Sequence, residues 1–283
     1  MKRISLSLLL LFPILVNAQS WEVGLFGGVS HYNGDLTEGL LMTENLHPAV
    51  GGVVRYNLNH KWSIRAAGYY GTISGSDEYA TDEVRRTRNL NFYSPISELS
   101  ITPEFHFTGY KIRSKRYLFS PFAYAGLGIY KFNPMTEKDG IVWNLQQMRT
   151  EGQGSIYNQQ EEQKSAGYPQ QPYALTQVSV PFGFGIKTAL GRNITLTFEV
   201  SSRMTFTDYL DDVSHWYIPQ SVFYTTSGDQ GYLLSDRRSE VLGYDVPPED
   251  QIVPRGNSTT NDWYYFTGIT LSWTFFPPTC FRF

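Results

Sequence analysis

Apolar and polar residues alternate with a period of two along much of this chain, and helical periodicity is scarce. The segment 98–107 is the clearest case, with leucine, isoleucine and phenylalanine on one face and glutamate, serine, threonine and histidine on the other. The segments 177–187 and 194–203 follow the same pattern. Each spans about ten residues, the length of a tilted strand that crosses a membrane.

The same template predicts eight strands, at 21–32, 48–58, 62–74, 96–107, 117–132, 175–189, 193–203 and 262–276. The connections between them contain 15, 3, 21, 9, 42, 3 and 58 residues, so long and short connections alternate. Outer-membrane barrels have long extracellular loops and short periplasmic turns, whereas a soluble eight-stranded lipocalin-like barrel has no reason for such alternation. The prediction is an all-β fold: an eight-stranded antiparallel transmembrane β-barrel with long extracellular loops at about 133–174 and 204–261.

The first 18 residues have the features of a secretory signal peptide. Lys2 and Arg3 precede an apolar run at 4–16, and Ala18 supplies a small residue for cleavage. A buried N-terminal helix is the alternative, which Pro13 disfavours. We expect export, cleavage after Ala18, a barrel over 19–283 and a location in the cell outer membrane.

Composition narrows the classes of function. Aromatic residues make up 16% and charged residues 17% of the 283 residues, and the charged share is below the roughly 25% of a typical soluble domain. A formal net charge of −3 leaves no basic footprint, so we expect no nucleic-acid partner. The single cysteine, Cys280, excludes an intrachain disulfide and any multi-cysteine metal site, and an intermolecular bond is its open alternative.

Aromatic residues mark the ends of the predicted strands. Such residues form girdles at both membrane interfaces of a barrel, although the preference of aromatics for any strand is the alternative explanation. The residues concerned are Trp21, Tyr32, Tyr56, Trp62, Tyr117, Trp263, Tyr265 and Trp273.

The polar strand faces predict a charged lumen. An eight-stranded barrel is only wide enough for its own side chains, and buried charges need partners, so we expect a stabilising plug rather than a porin channel. A proton or ion pathway is the alternative. Four bases and four acids fall on these faces, namely Arg55, Arg65, Lys187, Arg203, Glu22, Glu98, Glu104 and Glu199. His106 is expected to join them.

Motifs for catalysis or cofactor binding are missing from the sequence. The five histidines include no metal-spaced pair, and no G-x-S-x-G or P-loop is present. Asp208, Asp211 and Asp212, with Asp229 further along, suggest either a solvated acidic loop or a Ca²⁺ site. His215 near the acidic pair is the only candidate for acid–base chemistry. We therefore predict no catalytic residue, no cofactor and no metal, and the loop 133–174 is expected to be mobile or to fold on a partner.

The string TFTDYLDDVS at 205–214 strongly resembles the signature of the PorG-like outer-membrane β-barrel family of the type IX secretion system. WEVGLFGGVSHYNGDL at 21–36, TEGQG at 150–154 and VSVPFGFGIK at 178–187 also match, so the resemblance covers most of the mature chain. One departure from the family pattern is Pro277-Pro278, which we expect to interrupt the last strand before the terminal aromatic residue. The signature positions carried over are Thr205, Phe206, Thr207, Asp208, Tyr209, Leu210, Asp211 and Asp212.

The resemblance implies a non-enzymatic component of protein secretion that associates with a periplasmic ring of the PorK lipoprotein and PorN. The alternatives are an outer-membrane enzyme that acts on lipid or protein, and a structural or adhesive barrel. The periplasmic turn at 108–116 is longer than a hairpin needs, and opposed charges steer encounters between proteins. We therefore expect partner docking there, with solvated charge as the alternative; the docking residues are Lys111, Arg113, Lys115 and Arg116.

Overall fold

The structure, a computed structural model, describes residues 20–39, 43–114, 116–246 and 253–275. The predicted signal peptide, Lys115, Pro277-Pro278 and Cys280 lie outside these residues. In chain order the strands are β1 (Ser20–Asn33), β2 (His47–Asn57), β3 (Trp62–Ser76), β4 (Asn91–His106), β5 (Phe119–Ala125), β6 (Leu127–Phe132), β7 (Met135–Lys138), β8 (Ile141–Asn144), β9 (Thr176–Ala189), β10 (Ile194–Thr205) and β11 (Trp263–Phe275).

Eight strand positions form a closed antiparallel ring, in which β5 and β6 together occupy one position. Strand β1 pairs with β2 on one side and with β11 on the other, so the ring has no free edge. This confirms the predicted eight-stranded barrel. The largest difference in strand position is at β4, which begins at Asn91 rather than at residue 96.

The fifth barrel strand is interrupted at Gly126, but its register continues through the break. Ile101 pairs with Leu127 and Glu104 with Tyr124, in one unshifted ladder with β4. A Cβ atom at Gly126 would lie 2.2 Å from the Ile101 carbonyl oxygen, so the close approach of β4 requires glycine here.

Apolar side chains cover the outside of the barrel. Leu25, Leu99 and Phe184 are each about two thirds or more exposed, a surface that water disfavours and lipid accepts. A closed barrel with an outward apolar band is a protein of the outer membrane. The turns 58–61, 107–118 and 190–193 form its periplasmic end, and the longer loops form its extracellular end.

The aromatic girdle is confirmed at the periplasmic end and is wrong for two residues at the other end. Trp21, Trp62 and Trp273 face outward, each about half exposed. Tyr32 is instead 1% exposed and points into the barrel. Tyr265 is also buried, because its ring stacks on His31 at a centroid distance of 4.6 Å.

The lumen holds the predicted charged plug. All eight predicted residues are at most 2% exposed. The Arg55 guanidinium lies 2.9 Å from Glu22 and 3.0 Å from Glu104, and His106 joins at 3.1 Å from Glu104. Further pairs are Lys187–Glu22 at 2.9 Å, Arg65–Glu199 at 2.6 Å and Arg203–Glu98 at 2.8 Å.

Aromatic rings pack against these charges toward the extracellular end, which the polar-face assignment missed. The Arg203 guanidinium lies 4.6 Å from the centre of the Phe266 ring and 5.0 Å from that of the Tyr69 ring. Phe26, Tyr69 and Phe266 form an aromatic stack there. Loop residues Leu210 and Val213 join the same buried cluster. The extracellular loops therefore pack into the barrel mouth.

The long loops contain a small hairpin, β7–β8, and six short helices. The prediction of a mobile or partner-dependent loop at 133–174 is wrong, because this segment folds against the barrel with buried Leu145, Thr150 and Glu151. No helix in the described ranges is both long and apolar enough to cross a membrane. The helices are α1 (Glu83–Arg88), α2 (Leu145–Met148), α3 (Glu161–Ser165), α4 (Gln220–Phe223), α5 (Gly228–Ser235) and α6 (Arg238–Leu242).

Candidate functional site

The signature segment 205–212 forms a turn that closes the extracellular mouth of the barrel. Strand β10 ends at Thr205, whose hydroxyl donates to the Asp262 carbonyl at 2.6 Å, just before β11 begins. Thr207, Asp208, Leu210, Asp211 and Asp212 are all buried, whereas Phe206 is 55% exposed. The segment is thus ordered, and it is a turn rather than an extension of the strand.

Two buried carboxyl groups, those of Asp211 and Asp262, meet at Tyr32 at the mouth. The Tyr32 hydroxyl lies 2.5 Å from Asp211 Oδ2 and 3.2 Å from Asp262 Oδ1, and the Leu210 amide donates to Asp262 at 2.9 Å. Burial, together with the neighbouring carboxylates, raises the pKa of Asp211 and of Asp262 well above the ordinary range. Burial likewise raises the pKa of Asp208 to about 9. The expectation of a solvated acidic loop is wrong.

The two resemblance motifs TEGQG and TFTDYLDDVS contact each other directly. Thr150 donates to Asp212 Oδ2, and the Tyr173 hydroxyl donates to Asp212 Oδ1 at 2.6 Å. Burial raises the pKa of Asp212 to about 6, although the Arg255 charge and both hydroxyls oppose the rise. Gly152 follows with φ +65°, a left-handed conformation that favours glycine and turns Glu151 inward.

Glu151 is the hub of this contact and is fully buried. Its Oε1 accepts from the Ser214 amide at 2.8 Å, from the His215 amide at 3.1 Å and from Arg255 at 3.0 Å. Burial acts to raise the pKa of Glu151, but His215 and Arg255 outweigh it and hold that pKa below the usual value. We name this set of buried and half-buried loop residues the cap; it comprises Thr150, Glu151, Tyr173, Asp208, Tyr209, Asp211, Asp212, His215, Arg255 and Asp262.

His215 lies close in sequence to Asp211 and Asp212, but its ring contacts other residues. Its Nδ1 lies 3.0 Å from the Tyr209 hydroxyl and 3.7 Å from Glu151. The ring stacks on Tyr209. In the parts of the chain that the structure covers, no three His, Cys, Asp or Glu side chains are arranged to hold a metal ion. The cap aspartates instead bond to tyrosine and threonine hydroxyls, an arrangement that stabilises the loops.

The long periplasmic turn also folds into the barrel. Tyr110 and Ile112 are each 5% exposed, and the Tyr110 hydroxyl lies 2.7 Å from Thr195 Oγ1. The Lys187 ammonium lies 4.7 Å from the centre of the Tyr110 ring. The extra length of this turn thus supplies a stopper for the lumen, a role that sequence reasoning missed although the alternating apolar residues at 110 and 112 were a signal.

The predicted docking residues lie on the outer side of that stopper. Lys111, Arg113 and Arg116 are exposed to the periplasm. Arg113 adopts φ +65°, and its guanidinium donates to the Arg192 carbonyl at 3.1 Å and to Asn193 Oδ1 at 2.5 Å. The basic turn is therefore held in place from inside by Tyr110 and from the side by the neighbouring turn.

Comparison with protein families gives one match, to the family described as a domain of unknown function (DUF6089), over residues 1–150. The chain belongs to the DUF6089 family. The matched part of this DUF6089 chain includes β1 to β8 and ends at Thr150, the first residue of the TEGQG motif. A search of the curated proteins found no match.

Solved structures similar to the DUF6089 chain are small barrels. Ail, the attachment invasion locus protein of Yersinia pestis, is 8% identical, with 92% of this chain and 100% of Ail covered and a TM-score of 0.41. Neisserial surface protein A is 10% identical, with 92% and 100% covered and a TM-score of 0.42. The outer membrane protein OprG from Pseudomonas aeruginosa is 8% identical, with 90% and 96% covered and a TM-score of 0.39.

Proposed function

We propose that this chain is a non-enzymatic outer-membrane component of type IX protein secretion that docks a periplasmic ring of the PorK and PorN type. The observation that carries the proposal is the basic turn around Lys111, Arg113 and Arg116. It is exposed, and it is anchored by the buried Tyr110 and Ile112. A fixed, charged surface loses little conformational entropy when a partner binds.

Three further features support docking rather than transport through the barrel. Ion pairs around Arg55 fill the lumen toward the periplasm, and aromatic rings around Phe266, packed on the Arg203–Glu98 pair, fill it toward the extracellular end. Tyr110 covers the periplasmic end. A barrel plugged at three levels serves best as an anchor in the membrane, and its partners meet it at its rim. The resemblance of the signature segment 205–214 to the PorG-like family names the partner.

The test replaces Lys111, Arg113, Lys115 and Arg116 by Ser in a tagged barrel expressed in its own cells. Because opposed charges steer association and fix its register, we expect ring proteins recovered with the barrel to fall severalfold and secretion to drop. The measurement is the ratio of ring protein to barrel after extraction in mild detergent.

The matched control replaces exposed basic residues at the extracellular end, Arg86 and Lys164, by Ser. Both proteins must migrate differently before and after boiling on a denaturing gel, which reports a closed barrel. Normal ring recovery and normal secretion in the four-residue variant would contradict the proposal.

A further inference from the structure

The periplasmic end of the barrel carries charge of one sign. The three turns at 58–61, 107–118 and 190–193 contain no Asp or Glu. Their basic residues are Lys61, Lys111, Arg113, Lys115, Arg116 and Arg192. Like charges repel one another unless anions lie among them, so this rim favours an anionic neighbour.

Two of these basic residues flank a depression of about 460 Å³ on the barrel wall. Arg113 and Arg192 line it together with Asn193. The Arg113 guanidinium reaches it from the neighbouring turn, held by the Arg192 carbonyl and by Asn193 Oδ1. Arg192 is exposed and makes no ion pair within the residues that the structure describes. Two guanidinium groups are thereby brought to one place.

The left-handed backbone at Arg113 indicates that this arrangement is specific. A residue with a side chain is strained at φ +65°, whereas glycine is not. Arginine at this position aims its side chain across to the turn at 190–193, whereas glycine would relieve the strain and place no charge there.

The opposite edge of the depression is apolar and faces lipid. Ile194 and Trp273 pair directly across β10 and β11, and both point outward, 36% and 47% exposed. Trp273 belongs to the periplasmic girdle with Trp21 and Trp62, and tryptophan rings lie at the headgroup level of a membrane. The depression therefore lies at the membrane surface, with charge toward the periplasm and hydrocarbon above.

We propose that this depression binds an anionic phospholipid of the periplasmic leaflet. The headgroup phosphate lies between the guanidinium groups of Arg113 and Arg192, whose planar N–H donors match phosphate oxygens. An acyl chain lies along Ile194 and Trp273. This lipid site is separate from ring docking, because the barrel would bind the lipid when no ring protein is present.

The test measures lipid retained by the purified barrel, with no other protein present. The barrel is extracted in detergent micelles that contain equal amounts of phosphatidylglycerol and phosphatidylethanolamine, and native mass spectrometry counts the bound lipid. Each basic residue near a membrane surface contributes about a fivefold preference for anionic lipid. We expect phosphatidylglycerol retention to fall about fivefold in Arg192→Ser and about twentyfold in Arg113→Ser/Arg192→Ser.

The matched control is Lys61→Ser, on the same rim but outside the depression, which should reduce retention less than Arg192→Ser does, because Lys61 contributes only its long-range charge. Millimolar inorganic phosphate should not displace the lipid, because the apolar edge holds the acyl chain; displacement would identify a free-phosphate site and overturn the lipid assignment. Equal retention of the two lipids by the wild type, or unchanged retention in the double variant, would also overturn it. All variants must migrate as closed barrels before boiling.

Discussion

At the scale of single residues, the barrel depends on buried charges that have no water to stabilise them. Glu104 illustrates the point, since its carboxylate lies 3.0 Å from Arg55, 3.1 Å from His106 and 3.7 Å from Lys187. Removing one partner of a buried pair is costly because the other charge remains buried and uncompensated.

Replacing Glu104 with Ala should therefore lower the free energy of unfolding by about 3–5 kcal/mol. The measurement is the urea midpoint of the barrel refolded in detergent, and Glu162→Ala, at an exposed position in α3, serves as the control. An unchanged midpoint would mean that the pairing around Glu104 contributes nothing to stability.

The cap makes a second prediction, in which stability falls as the pH rises. Asp208 has a folded pKa of about 9, whereas the ordinary value is 3.8. Between these values the folded state binds the proton more tightly than the unfolded state, so rising pH destabilises the fold. The charges of Asp35, Asp211 and Glu151 act in the same direction on this group.

Thermal unfolding should show a melting temperature that decreases from pH 6 to pH 9, with a smaller decrease in Asp208→Asn. The amide resembles the protonated carboxyl group and cannot lose a proton over this range. Asp229→Asn, at an exposed position, is the control and should keep the wild-type slope. A variant slope equal to that of the wild type would assign the pH dependence to another group.

Sequence reasoning located the lumen charges but not the cap, for a physical reason. The alternation along a strand is enough to place Glu104 or Arg55 on the lumen face, even when its ion-pair partner is unknown. The burial of Asp211 depends on Tyr32, and that of Asp212 on Tyr173, in segments far apart in the chain. No local pattern reports such contacts, so the acidic turn resembled an ordinary solvated loop.

At the scale of elements, the alternation of residues with a period of two identifies every barrel strand. The alternation is strong because one face of each strand contacts lipid and the other packs inside the lumen. The β7–β8 hairpin was missed, since its strands have four residues each and its outward faces do not alternate clearly. The connection predicted at 108–116 is recognisably too long for a hairpin, but its folding into the lumen cannot be predicted from its length alone.

This turn gives the element-scale prediction. Tyr110→Ala removes a ring buried against Lys187 and the bond to Thr195, a loss of about 3–5 kcal/mol at a well-packed site. The turn should detach, and trypsin should cleave after Lys111 or Arg113 much faster than in the wild type.

The comparison variant is Leu118→Ala, which changes an exposed residue at the end of the same turn. It should leave the cleavage rate close to that of the wild type. Equal rates for Tyr110→Ala and Leu118→Ala would show that Tyr110 does not hold the turn.

At the scale of the whole molecule, the two ends of the barrel are built on opposite principles. The extracellular end buries carboxyl groups under a folded cap, with Glu151 and Asp211 as its centres. The periplasmic end exposes basic residues around a small stopper, Tyr110 and Ile112. The first arrangement stabilises the molecule, and the second leaves positive charge exposed at the periplasmic face.

The pairing of β1 with β11 has a consequence for how the chain reaches this state. Trp21 pairs with Phe275, so the last ladder forms between residues from opposite ends of the sequence. Such a contact carries a large loop-closure entropy, and chains dominated by distant contacts fold slowly. Until the final strand arrives, β1 exposes an unpaired edge that invites intermolecular association. The chain therefore remains prone to intermolecular association throughout its synthesis and export. Only the late formation of the β1–β11 ladder removes this exposed edge.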